Sequence, residues 1–139
     1  MAAAVKLRAR DAEDLAVISA LLQDGLVPVG DIGLLPGEQS FVMAVNRYRW
    51  EREARERIHA GLRFDGVRDI RYRGIDRKDR GQFLSILAIS YDGDAANGVV
   101  VLRFAGGGAI RLDVDGLNCI LADFDEGWPT LWTPRHDLE

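Results

Sequence analysis

The sequence predicts an α+β fold, in which one N-terminal helix packs against an antiparallel sheet of six to seven strands. Apolar residues recur at helical spacing only near the start of the chain, and the pattern from about residue 26 to residue 124 is that of short strands. Turn residues separate these strands closely, so we expect neighbours in sequence to run antiparallel. At 139 residues and 47% hydrophobic, the chain is expected to form a single domain over residues 1–139.

The helix is predicted over about residues 11–24. Asp11 and the two acids after it place negative charge where a helix has its positive end, and apolar residues then recur on one face from Leu15 to Leu22. We expect Gly25 to end the helix, because a residue without Cβ adopts the left-handed conformation at little cost.

The strands follow one another along the rest of the chain. They are predicted at about residues 26–35, 41–50, 62–73, 83–91, 99–104, 109–114 and 117–124. The run Leu35-Pro36-Gly37-Glu38 predicts a tight turn after the first strand, and Gly66 predicts a bend or bulge in the third. The second strand is expected to leave the core near Asn46. Between the second and third predicted strands, residues 51–58 fit a short exposed helix and a mobile loop equally well.

The predicted sheet is expected to be strongly bent or partly closed, with the helix on one face or plugging one end. By strand count the closest familiar shape is a pleckstrin-homology-like barrel, although those barrels place their helix last. The C-terminal tail, residues 125–139, contains two tryptophans and two prolines at residues 128–134 and cannot form a helix there. We expect the tail to lie extended across the sheet and bury its indole rings, or alternatively to dock on a partner.

Positive charge is concentrated in one stretch of the chain. Twelve of the eighteen Lys and Arg residues, but only seven of the twenty-two acids, fall within residues 47–80, while the whole chain carries a net charge of −4. A local excess of guanidinium groups sustains a positive field, and arginine recognises carboxylate and phosphate in a bidentate manner. The predicted ligand-binding residues are Arg47, Arg49, Arg63, Arg71 and Arg73. The alternative is that these side chains lie over the sheet and pair with the seven acids.

The sequence contains few residues that could catalyse a reaction or bind a metal or cofactor. The single cysteine, Cys119, lies in an apolar alternation typical of a buried strand, and with only His59 and His136 beside it we expect no metal site and no cofactor. No serine lies in a nucleophile-elbow context, so no catalytic residue is predicted. The glycines at 106–108 precede a strand pattern, which favours a hairpin turn over a phosphate-binding loop.

The sequence also bears on location. No apolar run approaches the roughly 20 residues that a membrane-spanning helix needs, and the first residues have no export-signal pattern. We therefore expect a cytoplasmic protein with no membrane partner.

Three segments resemble one known family. They are residues 7–15, residues 41–50 with the ending Asn46-Arg47-Tyr48-Arg49-Trp50, and the tail runs Trp128-Pro129-Thr130 and Pro134-Arg135-His136. Over essentially the full chain the sequence is similar to the bacterial, alphaproteobacterial family known as domain of unknown function 2948. The resemblance implies no activity, substrate or catalytic residue, so function has to be argued from the residues themselves.

Three functional hypotheses follow from the sequence. The first is a non-enzymatic binding or regulatory module whose Arg-rich face takes an anionic small molecule or an acidic protein surface. The second is a small enzyme acting on an acidic metabolite, with arginines binding the substrate and a carboxylate or His136 transferring the proton. The third, nucleic-acid binding, is disfavoured by the net charge of −4 and a pI near 5.2. The oligomeric state is left open.

Overall fold

The computed structural model describes residues 5–35, 37–48 and 57–124, which form one α-helix, one 3-10 turn and ten strands. The elements are β1 (Lys6–Ala9), α1 (Ala12–Leu22), β2 (Leu26–Pro28), the 3-10 turn (Val29–Asp31), β3 (Ile32–Leu34), β4 (Phe41–Tyr48), β5 (Arg57–Phe64), β6 (Val67–Arg73), β7 (Phe83–Gly93), β8 (Gly98–Phe104), β9 (Ala109–Val114) and β10 (Cys119–Phe124). The predicted count of six to seven strands is wrong. The 3-10 turn divides the first predicted strand, the bend at Gly66 divides the third, and β1 was not predicted.

The ten strands form one antiparallel sheet that is not closed. Its order is β1-β10-β5-β4-β2-β7-β8-β9-β6, with β3 pairing on β4 beside β2. Within the described residues β1 and β6 are therefore the two ends of the sheet. The predicted combination of one helix with an antiparallel sheet is confirmed.

Helix α1 begins as its sequence predicts. The Asp11 carboxylate accepts a hydrogen bond from the Asp14 amide at 2.8 Å, and the buried face of the helix packs against the sheet. Its end differs from the prediction, because Asp24 and not Gly25 adopts the left-handed conformation, with φ of 64°. Gly25 is required for close approach instead, since a Cβ there would lie 2.8 Å from the Val45 side chain.

The predicted bend at Gly66 redirects the chain between two parts of the sheet. Gly66 has φ of 67°, a conformation that favours glycine, and it joins β5 to β6. These two strands are consecutive in sequence but do not pair with each other: β5 lies between β4 and β10, and β6 pairs with β9. The bend thus carries the chain to the far end of the sheet.

Several sequence predictions fall outside the described residues. Of the segment 51–58, only Arg57 and Ile58 are described, and both belong to β5. The rest of that segment, Arg49, and the tail at 125–139 lie outside. In the part of the chain that the structure describes, no helix combines the length and apolarity needed to cross a membrane.

Candidate functional site

Arg47, the first predicted ligand-binding residue, is fully buried in an ion pair. Its Nε donates to Asp123 Oδ1 at 2.9 Å and its Nη2 donates to Asp123 Oδ2 at 2.7 Å, while Nη1 donates to the Tyr48 carbonyl. The same Asp123 Oδ2 accepts the Val5 amide at 3.0 Å. The expectation that this strand leaves the core near Asn46 is therefore wrong. Arg47 lies on the core-facing side of β4 and links it to β10 and to the segment before β1.

The register explains how Arg47 reaches Asp123 across an intervening strand. On β5, Ala60 lies directly opposite both Val45 of β4 and Asp123 of β10. A methyl side chain at this position leaves room for the guanidinium group to extend over β5. Because both charges are desolvated, the pair needs this bidentate geometry to offset the cost of burial.

Arg63 lies on the outer face of β5 and is held by two carboxylates. Its Nε donates to Asp65 Oδ1 at 2.6 Å and its Nη2 donates to Glu38 Oε1 at 3.2 Å, while the Ser40 hydroxyl donates to the same Asp65 oxygen. Partial burial lowers the pKa of Arg63, but the hydrogen bonds and negative charges of Asp65 and Glu38 raise the pKa by more. Much of the charge of Arg63 is thus compensated locally.

Arg71 and Arg73 lie on the outward face of β6, at one end of the sheet. Arg71 donates to Asp69 Oδ2 at 3.1 Å and keeps 72% of its side chain exposed, and Arg73 is also exposed. Of the predicted arginines within the described residues, the structure brings only these two together. Arg47 is in the core, Arg63 is on β5, and Arg49 lies outside the described residues.

A different set of residues surrounds a groove of about 660 Å³ between β3 and β6, which we call the seam groove. Its apolar lining comes from Val29, Ile32, Leu34, Val67, Ile70, Tyr72 and Ile75. Several of these side chains belong to the core-facing side of the sheet. Ile32 is opposite buried Met43, and Ile70 is opposite buried Leu112. The groove is thus a place where the inner face of the bent sheet reaches the surface.

Gly33, four cations and one carboxylate complete the lining; the charged residues are Arg68, Arg77, Lys78, Arg80 and Asp69. Arg68 pairs with Asp115 at 2.9 Å, and the Arg77 guanidinium lies 4.1 Å from the centre of the Tyr72 ring. The other two cations belong, with Arg77, to the loop between β6 and β7. Arg68 is thus compensated by Asp115, whereas Arg77 and Lys78 keep the rim of the groove positive above an apolar floor.

The loop that carries three of these cations is fastened to the other side of the groove. The Arg80 carbonyl accepts the Gly30 amide at 3.2 Å, and the Gln82 carbonyl accepts the Val29 amide at 2.8 Å. Within the loop, the Asp76 carboxylate accepts the Lys78 amide at 3.0 Å, as in a tight turn. The main chain thus holds the basic loop beside the apolar lining.

Tyr72 supplies a neutral polar group within the same groove. Desolvation raises the pKa of its phenol, the positive charge of Arg77 lowers it, and the net shift is upward. The hydroxyl therefore stays protonated at physiological pH and can donate a hydrogen bond. An apolar floor, a cationic rim and a hydroxyl donor together suit an anion that also carries apolar groups.

Sequence reasoning missed these four cations, although all of them lie within the basic stretch 47–80. The signal was present in the run Arg77-Lys78-Asp79-Arg80, which stands between Gly74 and Gly81 and so reads as a loop. Loops held by a rigid scaffold are frequent carriers of binding residues. The arginines of the strands give a stronger local pattern, because they alternate regularly.

Other reactive side chains lie away from the groove. Cys119 is fully buried, as predicted, and burial raises the pKa of its thiol. His59 is exposed on β5, and His136 lies outside the described residues. Among residues 5–35, 37–48 and 57–124, no three His, Cys, Asp or Glu side chains are grouped so that they could hold a metal ion.

Comparison with known proteins gives one match. The model of a family described as "Protein of unknown function (DUF2948)" matches residues 5–136. No curated protein and no solved structure matches the chain.

Proposed function

The chain belongs to the DUF2948 family, whose description assigns no activity, and we propose that it is a non-enzymatic binding or regulatory module for anionic partners. The seam groove is the proposed binding site. The observation that carries this proposal is the meeting of seven apolar or aromatic side chains with four cations and one carboxylate in a single groove. An anion with apolar groups would gain both charge complementarity and burial there.

The groove's lining supports binding and orientation more directly than it supports a reaction. The single lining carboxylate, Asp69, already accepts a hydrogen bond from Arg71, and the phenol of Tyr72 is kept protonated. Cations, an apolar floor and a neutral donor attract and position an anion. An enzyme acting on an acidic metabolite has no such specific observation in its favour.

Under this proposal the five predicted arginines have different roles. Arg71 and Arg73 extend the positive field along β6 next to the groove. Arg47 and Arg63, each held by carboxylates, stabilise the fold. Arg49, which lies outside the described residues, is assigned no role.

Three finer expectations from the sequence also stand as proposals. The bent sheet with an open seam is proposed to be a variant of a pleckstrin-homology-like barrel, residues 1–139 are proposed to fold as a single domain, and the protein is proposed to act in the cytoplasm.

The proposal is tested with 8-anilinonaphthalene-1-sulfonate, a small anion with aromatic rings, as the probe. We expect saturable binding of this probe to the full chain, weakened about tenfold when Arg77 and Lys78 are both replaced by Gln, which corresponds to about 1.4 kcal/mol of binding free energy. Binding should also weaken as salt screens the rim.

A matched variant replaces two exposed arginines outside the groove, Arg8 and Arg103, by Gln. This control removes the same net charge and should bind the probe like the parent. Equal affinity in all three proteins, measured after unfolding curves have shown that each is folded, would contradict the proposed site.

A further inference from the structure

We infer that the seam groove accepts an extended, acidic peptide segment of a partner protein, which adds as a β-strand between β3 and β6. This inference rests on the proposed function and names the class of partner.

The first supporting observation is that two strand edges open onto the same groove. Within the described residues β3 pairs only with β4, and β6 pairs only with β9. Both strands line the seam groove. An unpaired edge offers a row of main-chain N–H and C=O groups to which another extended chain can bind.

Along β3, residues that bond to β4 alternate with residues whose main-chain groups point away from β4, and this alternation determines which groups face the groove. The Leu35 amide donates to the Ser40 carbonyl at 3.0 Å, and bonded pairs in an antiparallel ladder recur at every second residue. Gly33 therefore directs its N–H and C=O toward β4. Leu34, one residue along, directs its own main-chain groups toward the groove.

The same alternation applies to β6. The Phe104 amide donates to the Gly108 carbonyl at 2.8 Å, so every second residue of β9 counted from Gly108 bonds to β8. The residues of β9 between them, which include Arg111, bond to β6, and Arg111 lies opposite Arg71. Arg71 directs its main-chain groups toward β9. Ile70 and Tyr72 direct theirs toward the groove, so both edges present main-chain donors and acceptors to the same space.

Charge and side-chain character then select the kind of peptide. The side chains of Leu34, Ile70 and Tyr72 form part of the apolar lining, and the cations Arg77 and Lys78 lie at the rim beside them. A strand seated between these edges would direct alternate side chains into the apolar floor and would need negative charge against the rim. The matching sequence class therefore alternates apolar residues with Asp or Glu.

The inference is tested by amide hydrogen exchange of the full chain with a synthetic probe. The probe is a peptide of seven residues, the length of β6, that alternates Glu with Leu or Val. We expect the amides of Leu34, Ile70 and Tyr72 to exchange about tenfold or more slowly once it binds. The amides of Gly33 and Arg71, which already lie in ladders, should change little.

Two controls separate strand addition from simple attraction of charge. A peptide with the same side chains but N-methylated at alternate residues cannot form the ladder, and it should bind about tenfold more weakly. In the protein, Leu34→Pro removes an edge donor without removing a ladder bond, whereas Leu34→Ala keeps that donor. The proline variant should bind the peptide more weakly than the alanine variant. If the proline variant does not fold, the N-methylated peptide still decides the question.

Specific results would overturn the inference. They are equal binding of the N-methylated peptide, no gain of protection at the edge amides, prior protection of these amides in the free chain by another segment such as residues 125–139, or binding of an oligothymidylate but not of the peptide. If the sulfonate probe still binds at the rim while the peptide does not, strand addition fails but the proposed function stands. If neither binds, both fail.

Discussion

The two ends of β4 lie in regions that use positive charge in opposite ways: Arg47 is next to its last residue, and its first residues pair with β3, which lines the seam groove. Arg47 is fully buried and donates through Nε and Nη2 to the two oxygens of Asp123. Arg77 lies at the surface over the ring of Tyr72, beside a groove with an excess of cations. Two things therefore decide whether the charge of an arginine is available to a partner. One is the face of the strand on which the arginine lies, and the other is which residues the neighbouring strands place opposite it.

The two ends also differ in how the backbone is satisfied. Around Arg47, β4, β5 and β10 are joined by continuous ladders, and the ion pair extends over the middle strand. At the seam, β3 and β6 each keep one edge outside the pairings of the described residues, next to apolar side chains. Unpaired edges beside apolar surface are a risk for aggregation, so their presence at a positively charged groove agrees with a binding role.

The largest expected effect tests how tightly β10, the strand that carries Asp123, is held in the sheet. Cys119 is the first residue of β10 and is fully buried, with a thiol whose pKa is raised by burial. Labelling by a thiol reagent should therefore need global unfolding and be slower than in denaturant by roughly three orders of magnitude or more. Stopped-flow or absorbance measurement with a disulfide reagent gives both rates. Rapid labelling of the native protein would show that β10 opens locally.

The next effect tests the ion pair itself. Replacing Asp123 by Ala leaves the Arg47 charge buried without its carboxylate, and we expect the free energy of unfolding to fall by about 3 to 5 kcal/mol. Arg47→Gln should also destabilise the protein strongly, rather than acting only on ligand binding. Denaturant unfolding curves measure both changes.

The matched control removes both charges. In the double variant Arg47→Met with Asp123→Leu, no charge is left buried alone, so much of the lost stability should return. A single Asp123→Ala variant as stable as the parent would mean that the two ends do not differ as the contacts indicate.

The smallest effect belongs to the rim of the groove. The variant with Gln at positions 77 and 78 should unfold within about 0.5 to 1 kcal/mol of the parent, because exposed cations contribute little and the contact of Arg77 with Tyr72 is at the surface. Unfolding curves at matched salt check this. A loss as large as that of Asp123→Ala would make the rim a structural element and remove the contrast between the two ends.

Local patterns in the sequence predicted much of the fold. Helix α1, the hairpin of β8 and β9 and the bend at Gly66 were predictable because capping, alternation and glycine conformation act over a few residues. Strand β1 was missed, since four residues at Lys6–Ala9 give too short an alternation.

The roles of the charged residues were less predictable for a physical reason. The partner of Arg47 is 76 residues away in sequence, and no local signal marks Asp123 as its acceptor. The seam groove is likewise formed by two strands, β3 and β6, that meet only after the sheet has bent. Charge density marked a stretch that contains both Arg47 and the cations of the groove, but it could not distinguish a core arginine from a rim cation.

The pairing of β1 with β10 has a consequence for how the protein is made. Lys6 lies opposite Ala122, and the Val5 amide donates to the Asp123 carboxylate. The first strand of the described fold can therefore pair only after the last strand has been synthesised. A ribosome adding roughly 5 to 20 residues per second takes about 6 to 20 s to pass from the end of β1 to the start of β10. During that interval β1 lacks its partner strand, and Arg47, once it has been made, lacks Asp123. The sheet is therefore completed only when nearly the whole described chain has been synthesised.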